Sequence, residues 1–332
     1  MPTIALIFFA ALLLALGVTP LARRAAIVFG ILDQPASRKV HTSPVPMLGG
    51  VAIYVAFVAA LLLFSDSLYV TQVIGILLGA TWVSFLGIWD DWRTLRPLVK
   101  LTGQCFAVAI LILTGVQVEF LRNPFLNVLI TAVWVIGITN AVNFLDNMDG
   151  LSGGVAAIAA AWFLVLSLQN GQFLVAPFAA ALMGASLGFL VYNFNPARIF
   201  MGDAGSLFLG FMLAAVGLKL RFPGQPDAVT WMIPILVLGV PVLDMTLVTM
   251  SRLRRRVNPW TTAGKDHLSH RLVNMGMSHR RAVLMIYALC GIVGALGSAV
   301  QFLPPFAAYA LFAFALLAGI GIIFYLESKS IK

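Results

Sequence analysis

Apolar residues run through this chain in long blocks separated by short polar stretches, with no soluble-domain pattern between them. Eleven such blocks lie near residues 3–22, 47–64, 70–89, 98–115, 125–144, 151–168, 172–192, 205–219, 229–250, 282–302 and 305–326. A helix of about 20 apolar residues crosses a bilayer, and most of these blocks reach or approach that length. The pattern predicts an all-α polytopic integral membrane protein with about eleven transmembrane helices, forming a single transmembrane domain over 1–332. No low-complexity tract or short-period repeat interrupts it. The longest polar stretches run from Arg23 to Pro46 and from Ser251 to Arg281.

Composition agrees, with 61% hydrophobic and only 10% charged residues, against roughly 25% charged in soluble domains. Met1 to Ala22 lacks a basic leading segment and reads as the first span, not as a cleaved signal. Cys105 and Cys290 both fall inside apolar blocks, where they read as small core residues and not as a disulfide or metal pair. A net charge of +9 could suggest nucleic acid, but in a membrane protein the distribution over loops is what counts. Eighteen of the 21 Lys and Arg residues fall on one set of loops, leaving Arg122, Lys219 and Arg221 on the other. The positive-inside rule makes the rich set cytoplasmic: loops at about 23–46, 90–97, 145–150, 193–205 and 251–281. The N-terminus is then outside and the C-terminus cytoplasmic, with no role for nucleic acid.

The same arrangement gathers the acids. Asp90, Asp91, Asp146, Asp149, Asp203 and Asp266 all fall on the cytoplasmic side, and Asp244 lies near it just after Pro241. Asn140, Asn143, Asp146 and Asp149 follow one another by three residues, which on a helix gives one drifting polar face. Such groups at the end of a membrane helix cost free energy unless they meet water, a cation or a polar substrate. Asp90 and Asp91 raise each other's pKa unless a cation relieves them, and Lys100, a turn inside the next block, needs a partner. That combination favours a phosphate or carboxylate site. Asp203, in the Gly-flanked run Met201-Gly202-Asp203-Ala204-Gly205, sits at a helix N-terminus. There backbone amides attract anions and a carboxylate can hold magnesium beside substrate phosphate. Gly49 and Gly50 permit close approach of backbone to a ligand. Arg252 to Arg256 read as headgroup contacts and topology anchors. His267, His270 and Arg271 read as a diphosphate-recognising group, in preference to a zinc site.

In this order and combination, these stretches resemble the polyprenyl-phosphate N-acetylhexosamine-1-phosphate transferase family, whose bacterial members include the WecA, TagO and MraY enzymes. The likeness runs from about Asp33 to Arg281. It implies magnesium-dependent transfer of a sugar 1-phosphate from a UDP-N-acetylhexosamine to a polyprenyl (undecaprenyl) phosphate, with release of UMP, initiating cell-envelope glycan synthesis. Manganese would substitute for magnesium. The setting implied is a bacterial-type inner membrane with the active site on its cytoplasmic face, and a homodimer is a candidate assembly. The family's aspartate pair falls on Asp90 and Asp91, its lysine on Lys100, its Asn-x-x-Asp-x-x-Asp motif on Asn143, Asp146 and Asp149, its metal-binding aspartate on Asp203, and its histidine motif on His267 and His270. Ser269 stands where many members carry a further histidine, and Asn147 where glycine is common. The Arg38-Lys39-x-His41 run and the His267-to-Leu272 segment look more like WecA and TagO than MraY. This favours UDP-N-acetylglucosamine over the muramyl-pentapeptide donor, which stays as the alternative.

The expected division of labour follows. Asp90, Asp91, Lys100 and Asp146 serve catalysis. Asp203, Asn143 and Asp149 hold the metal. Lys39, His41, Asn143, Asp149, His267, His270 and Arg271 bind the nucleotide sugar. Direct attack by the lipid phosphate on the β-phosphorus competes with a two-step route through an aspartyl phosphate. A secondary transporter is the reading from another class, and it predicts carboxylates near mid-bilayer.

Overall fold

The computed structural model describes residues 2–34, 43–64, 71–259, 262 and 264–329. Arg38, Lys39 and His41 lie outside the described residues. The chain divides into two compact units, Met1–Leu220 and Arg221–Lys332.

The first unit holds α1 (Pro2–Val28), α2 (Gly49–Phe64), α3 (Thr71–Arg93), α4 (Pro97–Leu113), α5 (Pro124–Leu145), α6 (Leu151–Gln169), α7 (Val175–Asn193) and α8 (Gly202–Lys219). One small ribbon joins β1 (Leu32–Asp33) to β2 (Val45–Pro46), antiparallel, with Leu32 opposite Pro46. The second unit holds α9 (Asp227–Thr230), α10 (Met232–Val237), α11 (Gly239–Arg254), α12 (Leu268–Asn274), α13 (His279–Val300) and α14 (Pro305–Lys329). Among the described residues, eight of these helices are long and apolar enough to cross a membrane: α1, α3, α5, α6, α7, α8, α13 and α14. The segments Asp227–Val237 and Gly239–Arg254 qualify only as a pair bent by 72°, and α2 and α4 are apolar but shorter. All eleven apolar blocks fall on helix.

The bend has a cause in the sequence. A proline ring clashes with the carbonyl four residues earlier. For Pro241 that residue is Val237, where α10 ends; Pro241 itself sits in the first turn of α11, where its missing N–H costs little.

Within the first unit α8 is the enclosed element, touching α2, α3, α5, α6 and α7. Glycines permit this. A Cβ on Gly205 would stand 2.8 Å from the Gly50 Cα, one on Gly87 2.5 Å from the Asp203 carbonyl carbon, and one on Gly210 2.7 Å from the Thr139 Cα. The start of α8 is therefore clamped backbone to backbone against α2 and α3. Gly49 and Gly50 donate their N–H groups to the Phe200 and Met201 carbonyls at 2.9 and 2.8 Å, and Phe200 donates back to Pro46 at 2.8 Å. The close approach expected at Gly49 and Gly50 is thus made by the chain's own backbone.

Candidate active site

The polar face read along residues 140–149 divides in the structure. α5 ends at Leu145, Asp146 is its C-cap, and Gly150 takes the left-handed conformation (φ 76°) before α6 begins. Only Asn140 and Asn143 lie on helix. The reason is local: Asp and Asn side chains compete with helical hydrogen bonds and favour turns, and a glycine permits positive φ.

Three helices bring one polar cluster together at the start of α8. From α4, the Lys100 ammonium lies 2.7 Å from Asp90 Oδ2 and 2.5 Å from Asp203 Oδ2. From α5, Asn143 donates Nδ2–H to Asp203 Oδ1 and to Ser206 Oγ, each at 2.8 Å. From α3, Asp90 Oδ1 accepts from the Leu95 N–H. Asp91 Oδ1 and Oδ2 accept the Asp203 and Ala204 N–H groups at 2.8 and 3.1 Å, so Asp91 caps α8 and completes the positive end of its dipole. A Cβ on Gly202 (φ 68°) would stand 2.9 Å from Asp91 Cγ, which is why glycine occupies that position. The aspartate pair therefore has two separate jobs: Asp90 meets the ammonium, and Asp91 fixes the helix that carries Asp203.

Asp146 is half-buried and takes no hydrogen bond to its carboxylate among the described residues. Burial first, then the charges of Asp203 and Asp149, push its carboxyl up to about 8. Asp149 looks elsewhere. Its Oδ2 accepts from Asn195 Nδ2 at 2.9 Å and from the Ala197 N–H at 3.0 Å, tying the α5–α6 turn to the loop before α8. Asn193 reinforces that tie, accepting from the Gly150 N–H at 3.1 Å and donating to the Ile199 carbonyl at 2.9 Å.

The second unit has its own buried polar group. Asp244 is fully buried and bonds His267 Nδ1 at 2.8 Å, while its other oxygen accepts the Leu268 N–H at 2.7 Å. The His267 and His270 rings stand 6.2 Å apart, edge to face. Burial, then the neighbouring His267 and Lys265 charges, lower His270 to about 4. Arg271 is turned inward. Its guanidinium donates to the Asp266 and Leu326 carbonyls, Ser251 Oγ and Glu327 Oε1. Four of its five N–H donors are so engaged. Arg252 departs from the headgroup role expected of it: it is buried, pairs with Asp266 at 3.2 Å and donates Nη1–H to the Pro259 carbonyl at 2.6 Å. Burial alone would raise the Asp266 carboxyl, but Arg255 and Arg252 together hold it below the usual carboxylate range.

Residues 73–221 match the family model described as glycosyl transferase family 4. That match contains every member of the α8 cluster. The chain is 38% identical to a "Probable undecaprenyl-phosphate N-acetylglucosaminyl 1-phosphate transferase" of Bacillus subtilis (strain 168), over 85% of this chain and 80% of that protein. The chain belongs to glycosyl transferase family 4. Two further relatives frame this family member. A "Decaprenyl-phosphate N-acetylglucosaminephosphotransferase" of Mycolicibacterium smegmatis is 33% identical, covering 91% of this chain and 83% of the relative. A "Phospho-N-acetylmuramoyl-pentapeptide-transferase" of Lactiplantibacillus plantarum is 36% identical over a shorter reach, 54% and 62%.

Two neutral residues of this glycosyl transferase also touch the site or its supports. Ser206 holds Asn143 in place, and Gln104 pairs with Asn140. Ser206 follows directly on the run Met201 to Gly205, four residues beyond Gly202, and Gln104 lies four beyond Lys100. Helical spacing from known site residues was the available signal.

Proposed function

We propose that this protein transfers N-acetylglucosamine 1-phosphate from UDP-N-acetylglucosamine to a polyprenyl phosphate, releasing UMP, at the cytoplasmic face of a bacterial-type inner membrane. The observation that carries the reading is the Lys100 ammonium held between Asp90 and Asp203 at the mouth of a helix bundle, in a chain whose near full-length relatives bear names for this transfer. Two anions must meet at a water–lipid boundary, so positioning and charge neutralisation dominate such chemistry. Asp90 would receive the lipid phosphate and orient its attacking oxygen, Lys100 would offset the growing charge, and Asp91 would keep α8 and Asp203 in register. The histidines of the second unit, His267 and His270, are assigned to donor phosphates on their chemistry alone, and Arg271 to holding that unit's fold.

Magnesium suits the donor set. Asp90, Asp146 and Asp203 are hard oxygen donors of the kind it takes. As they stand, the described side chains surround Lys100, and no three His, Cys, Asp or Glu among them share a ligand geometry. Asp203 and Asp146 would hold the ion, with Asn143 beside them, its Nδ2–H steadying Asp203 from α5. Asp149 would serve by shaping the loop to which it is tied. When bound, magnesium would neutralise the donor's diphosphate and stabilise the leaving UMP.

Eleven crossings with the N-terminus outside would combine the eight full-length helices, the bent pair and the two shorter helices, with the basic loops inside. The test of the reaction is UMP release by purified protein given undecaprenyl phosphate and either UDP-N-acetylglucosamine or UDP-N-acetylgalactosamine. The first donor should turn over. Silence with both donors, when lipid and magnesium are saturating, would refute the transfer.

A further inference from the structure

One turn into the bilayer from Lys100 and Asn143, two amides face each other across α4 and α5. Asn140 donates Nδ2–H to Gln104 Oε1 at 2.7 Å, and Gln104 donates Nε2–H back to Asn140 Oδ1 at 3.2 Å. Asn140 also holds its own helix through the Ile136 carbonyl at 2.8 Å, and Gln104 is 3% exposed. Gln104 lies four residues from Lys100 on α4, and Asn140 three from Asn143 on α5, so each amide shares a helix face with a ligand of Asp203.

A pair of leucines would fill this space and pack well. Interhelical hydrogen bonds in membrane proteins add little stability on average, because polar groups also find partners in the unfolded state. What a reciprocal amide pair supplies that leucines do not is register. Sliding α4 by one turn, about 5.4 Å, breaks both bonds at once, much as a buried Asn fixes the alignment of a coiled coil. Asp203 is bonded from both sides, by Lys100 on one helix and Asn143 on the other, so its placement depends on those two helices keeping step.

The geometry points to Gln104 and Asn140 as positioning residues: a reciprocal amide clamp that sets the α4–α5 register and thereby aims Lys100 and Asn143 at Asp203. The clamp touches no substrate. Only its kinetic readout rests on the transferase reading, since the register it sets can be observed without turnover.

The experiment compares wild type with Gln104→Leu, Asn140→Leu and the exchanged pair Gln104→Asn/Asn140→Gln, all purified in detergent and checked for a sharp thermal transition. Two measurements are made: steady-state UMP release, and the rate at which Lys100 is acetylated by acetic anhydride, read by mass spectrometry. Each leucine variant should unfold within a few degrees of wild type. Each should lower kcat about 10- to 100-fold with the donor KM nearly unchanged, and expose Lys100 to faster acetylation. The exchanged pair, which restores two reciprocal amides of the same combined length, should recover most of both signals. Leucine variants with wild-type kcat and wild-type Lys100 labelling would overturn the clamp, as would an exchanged pair as impaired as the two single changes combined. If wild type itself releases no UMP, the transferase reading fails, and the labelling series still decides the clamp. If the leucine variants do not fold, wild-type labelling and turnover in the exchanged pair support the clamp, and losses in both refute it.

Discussion

An ammonium set between two carboxylates at an apolar boundary makes their closeness tolerable and fixes all three groups in one place. Lys100 stands in that position between Asp90 and Asp203. Replacing it by methionine keeps the length and removes the charge. We expect Lys100→Met to lower UMP release about 10²- to 10³-fold, the range seen when one charge-stabilising donor is lost, with Asp203→Asn at least as damaging. Turnover within threefold of wild type in either variant would remove the cluster from the chemistry. His270 makes a pH prediction. Its folded value is about 4 against an ordinary 6.5, so the unfolded chain binds the proton more tightly. The stability this represents is present above 6.5 and is lost as pH falls toward 4. Partial exposure screens the effect, and His270→Gln should spare on the order of 1 kcal/mol of the loss between pH 7 and 5, measured by thermal unfolding in detergent. At this scale, Asp90, Lys100 and Asp203 could be read from the sequence because charged groups in apolar blocks need a reason. Ser206 and Gln104 are neutral, so only their four-residue spacing from Gly202 and Lys100 marked them. Arg252 was misleading, since a run of arginines after a span looks the same whether its first member faces lipid headgroups or a buried aspartate.

Helices in the first unit meet through glycine, which is where the structure is most sensitive to small changes. A methyl at Gly87 has no space against the Asp203–Ala204 backbone, and one at Gly50 none against Gly205. Overpacking of this kind costs about 1–3 kcal/mol, and backbone cannot swing aside as a side chain can. Gly87→Ala should therefore lower the unfolding temperature and also reduce turnover by displacing Asp203. Gly137→Ala is the matched control: it lies within α5 with nothing within 4 Å, and helix propensity favours alanine by up to about 1 kcal/mol. Equal effects of the two substitutions would mean the close approach does not matter. The long helices were visible as apolar blocks, yet their ends were less so, and α12 and the β1–β2 ribbon lie inside stretches that read as polar loops. The three-residue spacing of Asn140, Asn143, Asp146 and Asp149 suggested continuous helix, and turn chemistry at Asp146 and Gly150 decided otherwise. The bend between α10 and α11 falls where the Pro241 ring acts on the carbonyl of Val237. The partners of Gly49 and Gly50 were out of reach, since they lie some 150 residues along the chain and periodicity carries no information about which helices touch.

For the whole molecule, the distribution of 21 basic residues and the order of the helices make a statement about sidedness. With Cys105 and Cys290 replaced, Ala197→Cys should react with a membrane-impermeant maleimide only after cells are opened. Gln225→Cys should react in intact cells. The reverse pattern would invert the proposed orientation. The position of the acids in the cluster separates an enzyme of this kind from a transporter: Asp90 and Asp91 close α3, Asp203 opens α8 and Asp146 caps α5, these four at helix ends, while Asp244 within α11 is taken up by His267 and the Leu268 N–H. Family membership rests on the relatives, but its plausibility was legible in one chain, because phosphate chemistry at a membrane surface demands this combination of acids, lysine and glycine turns.

The glycine seam around the start of α8 has a thermodynamic meaning beyond packing. In water, a reaction that moves negative charge must reorient many solvent dipoles as it proceeds, and that reorientation is a large part of its barrier. Backbone clamped to backbone at Gly50, Gly87 and Gly205 has no rotamers to explore, so the amides and carboxylates at that end of α8 are already oriented before any substrate arrives. The reorganisation free energy is met when the chain folds. A looser seam would leave every named residue in place and still make a slower catalyst.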